Sequence, residues 1–157
     1  MLENIHPAIV HFPIALLLTA GLIELAAWLL HRPALHLVSL WNCALGALGA
    51  AVAVWSGLHA EELSEHTAAA HEIIERHETL GRITLIVAVV VLVLRLAMRK
   101  RMNRWMQVAV LVLMLTAAAS AVAGGYLGGR LVYEFGVGTP AARQAHAPHE
   151  HHHHESE

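Results

Sequence analysis

The sequence predicts an all-α fold: a four-helix transmembrane bundle with an amphipathic extension leading into the third helix. Three observations carry this prediction. Of 157 residues, 57% are hydrophobic and 14% charged, with a mean hydropathy of +0.54. Soluble domains run about 45–50% apolar and about 25% charged. Four apolar stretches, residues 9–30, 35–58, 80–98 and 105–128, each reach the length of about 20 residues that a bilayer demands. Small residues also recur at four-residue spacing in the second and fourth stretches, as close-packed membrane helices require. The composition excludes a cytosolic globular enzyme and a disordered chain. A nucleic-acid binder is excluded as well, because Lys+Arg is 10 against Asp+Glu 12 and phosphate binding needs a basic surplus.

Residues 1–138 form the transmembrane domain and residues 139–157 a flexible His-rich tail. The first span is not a cleavable signal peptide: it lacks a basic n-region, follows Glu3 and is too long for an h-region. Charge sets the orientation. Arg99, Lys100, Arg101 and Arg104 crowd the third connection, and Arg32 marks the first. By the positive-inside rule both face the cytoplasm of a bacterial inner membrane, which puts the two termini and residues 59–79 on the periplasmic side. Trp28 and Trp105 then lie near the inner interface, and Phe12, Trp55 and Tyr126 near the outer one, as an aromatic belt would.

Small residues suggest which helices pack. Gly124/Gly128 and Gly125/Gly129 make overlapping GxxxG repeats, and Gly46/Ala50, Ala47/Ala51 and Gly49/Ala53 share that spacing. The second and fourth helices are therefore expected to make the closest contact, with the third, carrying its apolar run at 87–94, facing lipid. Exposed GxxxG faces would also permit a homodimer.

Two charges fall inside the spans, Glu24 and Arg95, where each costs about 2.5–3.5 kcal/mol near the centre. Arg95 can snorkel to the interface. Glu24 is too short for that, so a Glu24–Arg95 ion pair is expected.

Histidine is the compositional outlier, 14 of 157 residues. His6 and His11 flank the entry to the first span, with Pro13 deeper and expected to loosen the helix. Residues 59–79 contain no proline and can run as one helix into the third span. On it, His66, Ala70, Ile73, His77, Leu80 and Thr84 share a stripe facing the bundle. His11 and His77 are then expected at similar depth on parallel helices, the geometry that a haem iron or a transition metal needs. Glu62/His66 and His71/Glu75 are i,i+4 pairs able to grip an ion, though a solvated amphipathic helix would show them too. The tail carries His149, His151, His152, His153 and His154. Such a tract binds zinc, copper or nickel by composition alone.

The opening His6-Pro7-Ala8-Ile9-Val10-His11-Phe12-Pro13 resembles the HPxxVHFP signature of a large bacterial family of small predicted membrane proteins of unknown function. The close, from Gly128-Gly129-Arg130-Leu131-Val132-Tyr133 to Gly138, is similar to that family's GGxLVYxxGVG ending. The resemblance covers residues 5–138 and implies a four-helix inner-membrane protein, in some cases linked to redox or metal contexts; the His-rich tail departs from it. Gly128 and Gly129 are expected to end the fourth helix. Tyr133 would then return to the membrane surface, and Gly136 and Gly138 permit a turn over the His11/His77 mouth. Arg130 is placed either to meet a haem propionate, which guanidinium pairs bidentately, or to anchor the interface.

The expected function is a His-ligated cofactor site at the outer face. The first reading is b-type haem on His11 and His77, used for electron transfer to a redox partner. The alternative is copper or zinc handling by His6, His11, His77 and the tail, and the third is a non-catalytic accessory subunit. Cys43 lies in the second span, so no cysteine is at hand for covalent haem. No nucleophile–base pair, phosphate loop or HExxH motif points to a stand-alone enzyme.

Overall fold

The computed structural model describes residues 6–61, 68–98 and 102–137. They form four helices: α1 (His6–Leu29), α2 (Pro33–Glu61), α3 (Ala68–Ala97) and α4 (Arg104–Tyr133). Each is long and apolar enough to cross a membrane, over Ile9–Leu29, Pro33–Leu58, Ala70–Ala97 and Arg104–Tyr133. The third helix thus begins twelve residues before the apolar stretch at 80–98, because its polar N-terminal part continues in register without a breaker. The outside of the bundle is apolar. Leu18, Leu22, Leu48, Val90 and Val93 are exposed, as befits helices whose solvent is lipid.

Short connections make sequence neighbours antiparallel. The α1–α2 turn closes through the amide of Arg32, which donates to Ala27 O at 3.1 Å. His31 adopts φ 52°, and Pro33 opens α2, where its missing N–H goes unneeded. At the start of α4 the Asn103 side chain accepts the Met106 amide at 2.9 Å. Asn103→Ala is expected to cost about 1 kcal/mol by removing this cap, readable as a lowered thermal midpoint in detergent.

The packed pairs among the described residues are α1–α2, α2–α3, α3–α4 and α1–α4. The helices therefore stand at the corners of a square, with α1 opposite α3 and α2 opposite α4. This corrects the expected α2–α4 contact. The small residues do admit close neighbours, but those neighbours sit on adjacent helices. A Cβ at Gly46 would meet Leu17 Cγ of α1 at 2.8 Å, and one at Gly49 would meet the Pro13 ring at 3.3 Å. On α4, Gly125 makes room for Ile14 of α1, while Gly124 and Gly128 face Leu80 and His77 of α3. Helix α1 runs on across Pro13, whose ring fills the notch at Gly49.

The core is a layer of Leu17, Ala20, Cys43, Ala47, Ala88, Val91, Val110 and Met114. It lies between two polar regions. Toward the end where α1 begins and α4 finishes (the terminal end) are His77 and a Thr84–Ser120 pair. Toward the end holding the α1–α2 and α3–α4 connections (the hairpin end) are Glu24, His36 and Arg95. Helix α3 supplies both regions from a single inward stripe: Ala70, His77, Thr84, Ala88, Val91 and Arg95.

Candidate functional site

At the terminal end the four helices leave a cavity of about 80 Å³. Its walls are Val10, Pro13, Ile14 and Leu17 of α1, Ala50, Ala53, Val54, Gly57 and Leu58 of α2, His77, Glu78, Gly81, Arg82 and Thr84 of α3, and Ser120, Ala121, Gly124 and Gly125 of α4. Glycine and alanine dominate because they leave the space that longer side chains would fill. The hydroxyls of Thr84 and Ser120 stand 2.8 Å apart in the cavity lining. Thr84 donates to Leu80 O at 2.8 Å or shares its proton with Ser120, which in turn reaches Ala117 O at 3.1 Å.

The one imidazole in the described lining is His77. Its Nδ1 lies 2.8 Å from the carbonyl oxygen of Gly124. A carbonyl only accepts, so Nδ1 carries the proton, and in the neutral ring the lone pair is on Nε2. Gly128 backs the ring: a Cβ there would lie 3.1 Å from His77 Cε1. Helix α4 therefore both orients the imidazole and makes room for it, one turn apart. Histidines that ligate metals commonly donate the outer N–H to a backbone carbonyl in this way.

The other expected site residues are placed differently. His11 is exposed, and α1 turns its neighbours Val10, Pro13 and Ile14 to the cavity instead. His77 reaches the Gly124 carbonyl of α4, and His11 is not among the residues that line the cavity. Gly128 and Gly129 lie inside α4, which continues to Tyr133. The chain turns later, where Gly136 adopts φ 66° and Val137 donates to Leu131 O at 3.0 Å. Arg130 is held by Glu134 through contacts of 2.7, 2.8 and 3.0 Å. That hydrogen bonding lowers the Glu134 carboxyl below its usual range, so the pair is present at neutral pH and is lost as pH falls through the lowered value. Tyr133 is exposed. The side chain of His6, the Glu62/His66 pair and all six tail histidines lie outside the described residues.

On the polar part of α3, Arg76–Glu72 at 2.6 Å and His71–Glu75 at 3.5 Å form exposed i,i+4 pairs, while Arg82–Glu78 at 2.7 Å borders the cavity with Glu78 largely buried. Among the described residues no group of three or more His, Cys, Asp or Glu side chains stands together.

The Glu24–Arg95 ion pair is formed across the α1–α3 diagonal, with Glu24 only 2% and Arg95 9% exposed. Sequence reasoning missed its third member. Nδ1 of His36 lies 2.9 Å from Oε1 of Glu24, and Nη1 of Arg95 donates to His36 O at 3.3 Å. The available signal was position: His36, in the first turn of α2, follows a three-residue connection and so faces the last turns of α1.

No curated protein and no solved structure matches this chain. A family of predicted membrane proteins, DUF2231, matches residues 2–141, nearly the whole bundle and both end motifs. Four apolar helices, the spacing of their polar groups and this match over most of the sequence agree: the chain belongs to the DUF2231 family of predicted membrane proteins.

Proposed function

We propose that this multi-pass membrane protein handles a transition metal, copper or zinc, at its terminal end, with His77 as the fixed ligand and the His-rich tail as the collector. The observation that supports it is the Nδ1–H donation of His77 to Gly124 O, which fixes the ring and leaves the lone pair of its neutral form on Nε2. Imidazole suits both metals. The remaining ligands come from the tail: twenty residues follow Val137, an extended reach of about 65–70 Å. The tail leaves α4 at the end where the cavity lies. In the inner membrane, with positive loops inside, that end meets periplasmic metal.

Haem on the same imidazole requires more space. Ligand pockets usually run about 300–1,000 Å³, and the cavity holds about 80 Å³, enough for an ion with a few waters. A porphyrin would have to part the helices and bring His11 round from the outside. Cavity size therefore favours the smaller ligand.

Calorimetric titration of the detergent-solubilised chain with Cu²⁺ and Zn²⁺ tests the proposal. His77→Ala is expected to weaken the tightest site by at least about tenfold, and ending the chain after Gly138 to lower the number of ions bound. Unchanged binding in His77→Ala would remove the bundle from the reading. A Soret band in protein from haem-replete cells, lost in His77→Ala, would reinstate haem.

A further inference from the structure

The polar cluster at the hairpin end has a geometry that a structural ion pair does not need. A guanidinium and a carboxylate left to themselves pair fork to fork, using both oxygens. Here Oε1 of Glu24 serves both Arg95 and His36, while Oε2 of Glu24 and Nε of Arg95 are buried without a hydrogen-bond partner among the described residues. An ionisable group held inside a membrane span at such cost marks a functional site more often than a packing device.

The imidazole connects the cluster to the outside. The side chain of His36 is 31% exposed, against 3% for Glu24 and 8% for Arg95. A carboxylate oxygen has no proton to give, so the His36–Glu24 contact is Nδ1–H donating to Oε1, and the lone pair of the neutral ring lies on Nε2. From these residues we propose that Glu24, His36 and Arg95 form a proton-binding site on the hairpin-end half of the bundle. His36 takes up the proton at Nε2, and Glu24 holds the ring. In the step, a hydronium O–H bond breaks, an Nε2–H bond forms, water leaves, and the ring passes from neutral to +1.

With His36 neutral, the cluster sums to zero, and with the proton aboard it sums to +1. The added charge sits on a ring already bonded to a carboxylate. Glu24 faces the ring from α1 and Arg95 from α3. On α2 the nearest other titratable group is the buried Cys43 thiol, two turns deeper, its Sγ 3.9 Å from Ala88 O. His31 and Arg32 are exposed in the adjoining turn. Helix α4 presents Val110 and Met114 to this core, neither of them charged.

Nitrogen-15 NMR of histidine-labelled protein in lipid nanodiscs tests the proposal, with His36→Gln identifying the signal. In samples at two pH values, the neutral ring of His36 is expected to carry its proton on Nδ1 with Nε2 bare, and in the more acidic sample both nitrogens are expected to be protonated. Glu24→Gln with Arg95→Met removes both charges without stranding either, and its helix content is checked by circular dichroism. In that variant the Nδ1–H preference is expected to disappear. The proposal is overturned if wild-type His36 carries its proton on Nε2, if its state is the same at both pH values, or if the double variant keeps the wild-type tautomer.

Discussion

Glu24→Ala is expected to destabilise the bundle by about 3–5 kcal/mol, the cost of leaving a buried charge without its partner. Arg95 reaches Glu24 across the diagonal of the square and is 9% exposed. Without the carboxylate its guanidinium has one hydrogen bond left, the 3.3 Å contact to His36 O. Unfolding in detergent followed by circular dichroism measures the loss. Arg95→Ala strands the carboxylate instead and is expected to cost a similar amount. Exchanging the two charges is expected to recover part of the stability. Glu24→Gln with Arg95→Met is expected to approach or exceed the wild type, because a buried pair contributes little once both desolvation costs are removed. A loss in the double variant equal to the sum of the losses in Glu24→Gln and Arg95→Met alone would show that the two residues act independently.

Gly128→Val is expected to weaken metal binding by about 10- to 100-fold, the range for disturbing the second shell of a metal ligand. Even a lone Cβ at this position would stand 3.1 Å from His77 Cε1 and 3.5 Å from Nδ1, and two further methyls push the ring off its seat. The 2.8 Å bond to Gly124 O stretches, and Nε2 loses its fixed direction. Gly129→Ala is the matched control, since a Cβ there meets nothing within 4 Å. Paired titrations with Cu²⁺ separate the two variants. Equal affinities would show that ring position does not govern binding.

The helices were legible because bilayer length and apolar composition leave little choice of structure. The Glu24–Arg95 pair was legible for a related reason: a short carboxylate inside a span has to find a cation. Partner choice was harder to read. Four-residue spacing on α2 and α4 announces close approach without naming the neighbour, and short connections between antiparallel helices put both against α1 and α3. His77 could be placed on the inward stripe, since helical period alone fixes it. His11 could not, because one residue of register, about 100° of rotation, separates it from Val10 in the cavity wall. His36 escaped notice because a histidine one turn into a helix reads as an ordinary interfacial residue until the opposing carboxylate is located. The end of α4 was misread from its glycines. Gly128 serves the neighbouring imidazole rather than stopping the helix, and the left-handed residue that turns the chain is Gly136.

The layer of Leu17, Ala88, Val91 and Val110 also works as an insulator. Thr84 and Arg95 are eleven residues apart on one helix, about 16 Å of rise, and every α3 side chain between them is apolar. The Ser39 hydroxyl and the Cys43 thiol, held by Ala20 O and Ala88 O, interrupt the layer from α2, so the barrier between the two polar regions is thickest along α3.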